Sequence, residues 1–348
     1  MPYWKRMKST FLLAIAFVSI PLQAMAETTR PDDSYYSDYA DDGTMYAPYS
    51  GIDSSIDTSY MQPPSDPNTF SGKSTSAAKP YLIPNKFYFE YLGSMNLKDG
   101  NGHLSVTNAV ITLPFVDPTQ TGFGSWRFDA KAAVRLTWLN SKGDQVLDES
   151  ELYTILANFS AARQIGGSGQ LIIGVAPEIS TDFDVWTFRD VYISGYAAYA
   201  TRVNDSFSFA AGLAYIPQYV DRFVVPFFRF NWQATPAWEV SLSDARFSVT
   251  NTASSRFHWG PFLQWGGKTW TVNRHRSTQR LRWTSYSLGM GSSIDLTPNH
   301  ETKVLLTTDL GFTFGNEARF KTKDNKHTLE KYKYGEGLYL RVGIDVQF

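Results

Sequence analysis

The chain has 348 residues, a formal net charge of −1 and no cysteine. The near-neutral charge provides no electrostatic attraction for nucleic acid, and the lack of cysteine excludes disulfides and thiolate metal sites. After residue 26, no apolar run approaches the roughly 18 residues that a membrane-spanning helix needs. Aromatic residues make up 16% of the chain, which is high for a soluble domain.

Residues 1–26 have the three parts of a secretory signal peptide. A basic segment at residues 5–8 precedes a short apolar run at residues 11–20, and Ala24-Met25-Ala26 is a small-x-small cleavage site. We therefore predict that the protein is exported and that the mature chain starts at Glu27. The alternative interpretation is an N-terminal helix of the folded domain.

Residues 27–84 are predicted to form a disordered tail. The segment is rich in Ser, Asp, Tyr and Pro, and acidic residues outnumber basic ones. Such a composition buries too little apolar surface to offset the chain entropy lost on folding. Its tyrosines are candidate contacts for a partner, and a solvated linker is the alternative.

From residue 85 to residue 348, apolar and polar residues alternate with a period of two, which predicts β-strands with one apolar face. The segments 126–138 and 338–348 show this most clearly, and the first has a tryptophan near each end. A soluble antiparallel sheet also alternates. The number of such strands, the export signal and the terminal Phe348 favour a transmembrane antiparallel up-and-down β-barrel in a Gram-negative outer membrane.

Loop lengths predict the topology, because outer-membrane barrels have short periplasmic turns and longer external loops. Short connections are expected at 165–169, 203–206, 235–237, 251–255 and 297–301, and longer ones at 139–151, 177–190, 216–222, 272–280 and 315–334. The turns at 235–237 and 251–255 both look periplasmic, so two short strands with a turn or bulge near Ser243–Ala245 are expected between them. This gives 14 strands. Twelve is the alternative, because those two strands have only about seven residues each.

The strand YLRVGIDVQF, which ends at Phe348, resembles the signal read by the outer-membrane barrel assembly machinery. The turn NWQATPAWEVSL is similar to periplasmic turns of outer-membrane proteins. Residues 85–348 as a whole resemble a family of uncharacterised outer-membrane β-barrel proteins. The resemblance implies that the assembly machinery is a partner, and it implies no catalytic residue. The tail at residues 27–84 is predicted to be periplasmic.

The sequence suggests three possible chemistries, each with a simpler interpretation as polar or solvated residues. His103 and Ser105, with Asn108 nearby, resemble the His-x-Ser arrangement of outer-membrane phospholipases, and both side chains are expected to face the lumen or its mouth. Acidic and histidine side chains in the loops 139–151 and 272–280 suggest an omptin-like protease, but no spacing joins them. The histidines show no metal-ligand spacing. We therefore predict no enzyme activity, no cofactor and no metal.

Charged residues opposite the aromatic faces are predicted to line the lumen, where rings of charge can select permeating solutes. They are Glu90, Arg127, Asp129, Lys131, Arg135, Arg229, Glu239, Asp309, Arg341 and Asp345. The predicted function is a passive pore or channel for small solutes, and the alternative is a structural or interaction barrel with a plugged lumen that acts through its loops or tail.

Outer-membrane lipids and lipopolysaccharide are the other predicted partners. Arg274, Arg276 and Arg280 belong to the predicted basic loop 272–280. Basic groups at the outer rim would neutralise lipopolysaccharide phosphates, so these three residues are candidate contacts. A solvated loop is the alternative.

Overall fold

The structure is a computed structural model that describes residues 86–116, 122–123, 126–143, 147, 151–165, 169–184, 190–217, 224–243, 245–275, 277–297, 302–324 and 327–347. The predicted signal peptide, the predicted tail and Phe348 lie outside the described residues. Every named element in these ranges is a β-strand. They contain no helix that is long and apolar enough to cross a membrane.

The described ranges hold sixteen strands, fourteen of which close into one antiparallel barrel. Their bounds are β1 Lys86–Asn96, β2 His103–Val116, β3 Gly122–Phe123, β4 Trp126–Lys142, β5 Glu151–Ile165, β6 Gly169–Thr181, β7 Val191–Asn204, β8 Phe207–Tyr215, β9 Val224–Thr235, β10 Trp238–Ser243, β11 Arg246–Asn251, β12 Phe257–Arg274, β13 Ser277–Asp295, β14 Lys303–Thr322, β15 Thr328–Tyr334 and β16 Gly337–Gln347. The two-residue β3 only pairs with β4, and β15 forms a hairpin with β14. Pairing of β1 with β16 and of β13 with β14 closes the ring. The all-β class and the 14-strand count are therefore confirmed.

The short turns at 203–206, 235–237 and 251–255 and the two short strands are confirmed as well, whereas most of the connections at 165–169 and 297–301 lie outside the described residues. The strands β10 and β11 have six residues each and pair from Trp238↔Asn251 to Ser243↔Arg246. Two predicted long loops were wrong. Residues 272–274 and 277–280 belong to strands, because β12 and β13 stay paired up to Arg274↔Ser277. Residues 315–334 continue β14 and form β15, because their apolar side chains find a core to pack on.

The outer face of the barrel is apolar and exposed. Phe312 on β14 is 67% exposed and Phe89 on β1 is 50% exposed. Large exposed side chains continue along β16, at Leu338, Leu340, Val342 and Ile344. A monomer in water rarely exposes so continuous an apolar surface.

The pairing of β14 with its neighbours changes at one level of the barrel. Gly266 in β12 pairs with Ser285 in β13, and the register between β13 and β14 shifts beside Ser285. Gly315 in β14 has a φ of +61°, which favours glycine, and an added Cβ would lie 2.8 Å from Tyr286 Cδ2. Beyond this point β14 leaves β16 and pairs with β15 instead.

Beyond this level, the described residues within 268–283 and 316–334, here called the lid, reach across the barrel. Thr271 of β12 forms a parallel bridge with Thr181 of β6, although these strands are not neighbours in the ring. Asn273 N donates a hydrogen bond to Asp182 Oδ2 at 2.7 Å. Lid and wall share one buried apolar cluster, formed by Leu92, Met95, Leu104, Val106, Leu139, Leu147, Leu152, Phe262, Trp270, Val272, Leu281, Trp283, Ala318, Phe320, Tyr334 and Tyr339. The lid therefore packs inside the end of the barrel opposite the short turns.

Candidate functional site

The inner surface next to the apolar cluster carries a layer of hydrogen-bonded polar side chains. Glu90 on β1 accepts hydrogen bonds from Asn108 Nδ2 at 2.9 Å and from Tyr339 Oη at 3.0 Å. Thr137 Oγ1 donates to Asn108 Oδ1 at 2.6 Å. These contacts join β1, β2, β4 and β16, so alternate positions on four neighbouring strands bring the layer together.

Arginines extend the layer around the lumen. Arg246 on β11 donates from Nη1 and Nη2 to the two carboxylate oxygens of Asp309 on β14, at 2.6 and 2.9 Å. Two strands separate β11 from β14 in the wall, so this bidentate pair spans them along the inner surface. The Arg341 guanidinium lies 3.8 Å from the centre of the Tyr88 ring, and Arg135 Nη2 donates to Tyr88 Oη at 3.3 Å.

A buried ion pair joins the lid to the wall. The Lys268 Nζ atom on β12 lies 2.7 Å from Glu178 Oε1 on β6, and the side chains are 3% and 4% exposed. Ser180 Oγ donates to the same carboxylate oxygen at 2.5 Å. Together with the Thr271–Thr181 bridge, this pair fixes the position of the lid against β6.

A cavity of about 180 Å³ lies between the polar layer and the lid. Trp270, Trp283 and Tyr339 line it and also belong to the apolar cluster, so one side of the cavity is aromatic. The charged residues of the lining are Lys86, Glu90, Arg135, Arg246, Lys268 and Arg341. The cavity is therefore amphipathic, because aromatic rings and charged groups both line it.

The structure places the predicted lumen residues in three groups. Glu90, Arg135 and Arg341 line the cavity, and Asp309 forms an ion pair with Arg246, which also lines it. Asp129, Lys131 and Arg229 are buried, while Arg127, Glu239 and Asp345 are half-buried. That all ten line one open pore stays a prediction.

Sequence reasoning missed Arg246, Lys268 and Trp270. Arg246 was detectable, because the apolar Phe247 fixes the outer face of β11 and leaves its neighbour inside. Lys268 and Trp270 were not detectable from the sequence. The alternation of outward-facing apolar residues along β12 stops at Trp265, and no sequence pattern indicates that the rest of β12 packs inward against β6.

The predicted lipopolysaccharide contact Arg274 lies in the lid and is only 5% exposed. It forms an ion pair with Glu330, and its guanidinium lies 3.9 Å from the centre of the Phe320 ring. Tyr332 Oη also donates to Glu330, at 2.5 Å. Burial acts to raise the pKa of the Glu330 carboxyl, but the hydrogen bonds from Tyr332 and Arg274 and the charge of Arg274 hold it below its usual value.

The other two predicted contacts differ from Arg274. The Arg280 guanidinium lies 4.9 Å from the centre of the Tyr192 ring. Arg276 lies outside the described residues. Contact with lipopolysaccharide stays a prediction for this end of the barrel.

The expected lumen orientation of His103 and Ser105 was wrong. Their neighbours Leu104 and Val106 are buried in the apolar cluster inside the barrel, which turns His103 and Ser105 to the outer side of β2. Asn108 is on the inner face with Glu90, so the three residues do not form a nucleophile site. In the described ranges, no three His, Asp or Glu side chains are grouped closely enough to hold a metal.

A family model described as "Domain of unknown function (DUF6268)" matches residues 80–347. None of the curated proteins compared with the chain matches it. Similar solved structures include a TodX monoaromatic hydrocarbon channel deltaS2 mutant, with 9% identity, a TM-score of 0.31 and coverage of 77% of this chain and 91% of that chain. OccK5 (OpdH) of Pseudomonas aeruginosa has 11% identity, a TM-score of 0.30 and coverage of 76% and 98%. A mutant Rh. blastica porin has 9% identity, a TM-score of 0.27 and coverage of 76% and 100%. No functional assignment follows from likeness at this level.

Proposed function

The chain belongs to the DUF6268 family, a domain of unknown function, and we propose that it is a bacterial outer-membrane barrel that passes small solutes through its lumen. The observation that carries the proposal is the set of charged side chains that line the cavity of about 180 Å³, here called the charged layer.

The exposed outer face supports the outer-membrane location. A closed barrel pairs the backbone groups of all its strands, which makes it one of the two architectures that can span a bilayer. Side chains such as Phe89 and Phe312 cover its outside. Contact of this apolar surface with lipid is favourable, whereas its contact with water is unfavourable.

The charged layer supports passage of solutes. Taking charges out of water is costly even when they are paired, and small barrels are commonly filled with side chains. This chain fills the lid end with apolar residues but keeps Glu90, Arg135 and Arg341 beside an unfilled space. A barrel that needed only a filled interior would gain stability from apolar residues at these positions, so we infer that the layer serves a hydrated path.

In this structure the lid covers the lumen at one end, so we propose that the lid moves when solutes pass. The same lid favours a second candidate function, a permanently closed barrel that acts through its loops or tail. The buried Lys268–Glu178 pair and the apolar cluster both stabilise the closed arrangement.

Single-channel recording in a planar bilayer separates the two functions. We would record the purified protein and the variant Lys268→Met, which leaves the buried Glu178 without its counterion while the lid is closed. We expect stepwise ohmic conductance, with a larger open fraction in the variant. A third sample without residues 27–80 tests whether the tail also blocks the path. Silence from all three samples, with barrels shown to be folded by circular dichroism, would overturn the channel and favour the closed barrel.

A further inference from the structure

We propose that the cavity is a binding site for a small organic anion that carries one flat apolar ring, such as an aromatic carboxylate. The inference deepens the proposed function, because it names the solute class that the lumen would select. Binding itself does not require conduction, so the two can be tested separately.

The charge of the lining favours an anion. Five cationic side chains line the cavity, and Glu90 is the one carboxylate among its lining residues. Asp309 and Glu178 add two carboxylates, as the ion-pair partners of Arg246 and Lys268. Cations remain in excess. The guanidinium groups of Arg135 and Arg341 suit carboxylate recognition, because their planar N–H groups match its two oxygens.

The aromatic side of the cavity favours a ring. Trp270, Trp283 and Tyr339 form this side together with the ends of Leu92 and Val106. A cavity of about 150 Å³ accommodates benzene, so the 180 Å³ of this cavity suffices for a single ring with one small substituent. Stacked or edge-on aromatic contacts would orient the ring.

The Trp270 indole supplies a further donor. Trp270 is 3% exposed, and its Nε1 atom is buried without a hydrogen-bond partner among the described residues. A buried indole N–H usually has an acceptor. An oxygen of the bound anion would be that acceptor.

The test measures binding by the full-length protein in detergent micelles, with tryptophan fluorescence and isothermal titration as readouts. The probes are benzoate, benzylamine and acetate, each also titrated into empty micelles. We expect saturable benzoate binding. Benzylamine lacks the carboxylate and its charge-assisted hydrogen bonds, and acetate lacks the ring contact, so each should bind about tenfold more weakly than benzoate.

Two variants probe the site from its two sides. Arg135→Gln removes a guanidinium and should weaken benzoate binding about tenfold, and Trp270→Phe removes the indole N–H and should weaken it several-fold. Arg202→Gln is the matched control, because Arg202 pairs with the exposed Asp205 at the turn between β7 and β8, and it should bind benzoate like the unmodified protein.

Equal affinity for benzoate and benzylamine, or unchanged benzoate affinity in both folded site variants, would overturn the anion site. Saturable benzoate binding without conductance would support the site and overturn the channel. Conductance without benzoate binding would overturn the site and leave the channel standing.

Discussion

The Lys268 ammonium lies 2.7 Å from the Glu178 carboxylate, and the two residues belong to strands that are not neighbours in the barrel wall. Both side chains are buried. An ion pair in such surroundings is expensive to break from one side, because the remaining charge is left without a counterion in a medium of low polarity. The Lys268–Glu178 pair, here called the strut, therefore stabilises the packing of the lid against β6.

The strut predicts a specific order of stabilities. Lys268→Met should lower the free energy of unfolding by about 3–5 kcal/mol, whereas Lys268→Met/Glu178→Leu should lie close to the unmodified protein, because neither charge of the pair is left buried without its counterion. Urea denaturation in detergent, followed by tryptophan fluorescence, measures both. The control Arg202→Gln affects an exposed pair and should be neutral. A single variant as stable as the double variant would show that Glu178 is solvated and that the strut contributes little.

A second prediction concerns Gly315, where β14 bends into the lid. Gly315→Ala should destabilise the protein by about 1–2 kcal/mol, because an L-residue pays this cost in the left-handed conformation. The new Cβ would also press on the Tyr286 ring, 2.8 Å away. Gly335→Ala is the control, since its Cβ would meet only Asn96 O, at 3.5 Å. Protease digestion of the lid, measured beside the unfolding curve, should accelerate in Gly315→Ala alone.

The contrast between these two features shows what the sequence reveals about this fold. The short strands β10 and β11 were predictable, because the apolar parity changes between Leu242 and Phe247 and a one-residue shift moves every side chain to the other face. The lid was not. Its inward packing depends on one glycine conformation at Gly315 and on the distant partner Thr181, and neither leaves a local pattern.

The lining of the cavity was predictable in part, because alternation along a strand indicates which side chains face inward. Alternation placed Glu90, Arg135 and Arg341 opposite the aromatic face, and the structure has them beside the cavity. Two of the aromatic rings that line the cavity, Trp270 and Trp283, belong to the lid, and its inward packing leaves no local pattern in the sequence. Local alternation thus indicates which face a residue is on, but the contacts between distant strands decide what it meets there.

A third prediction tests whether the charged layer lines an ion path. In the double variant Arg127→Glu/Arg135→Glu, anion preference should invert to cation preference, because fixed charges in a pore attract ions of opposite sign. The reversal potential across a potassium chloride gradient reports the change of sign. Arg202→Glu, at a turn outside the lumen, should leave the potential unchanged. Unaltered selectivity in the double variant would show that neither arginine lines the ion path.

A fourth prediction follows from Glu330 in the β14–β15 hairpin, which extends past the last pair of β14 with β16. The pKa of Glu330 is lowered in the folded state, so its contribution to stability is present above the usual value of 4.5 and is lost as the pH falls through the lower folded pKa. Hydrogen exchange in β15, corrected for the intrinsic effect of pH, should therefore accelerate below that usual value. Glu330→Gln should exchange quickly at all pH values. An acid response that persists in Glu330→Gln would assign it to another group.

The last prediction concerns lid movement and uses the lack of cysteine in the chain. Thr181 and Thr271 are buried bridge partners on β6 and β12. Adjacent strands lie about 4.8 Å apart, within the Cα separation of about 4.4–6.8 Å that a disulfide accepts. In Thr181→Cys/Thr271→Cys, oxidation should lock the lid and abolish conductance steps, and dithiothreitol should restore them. The single variant Thr181→Cys should conduct under both conditions. Steps that persist after the disulfide is confirmed by mass spectrometry would mean that solutes bypass the lid, because a covalent bond between β6 and β12 leaves it no room to swing away.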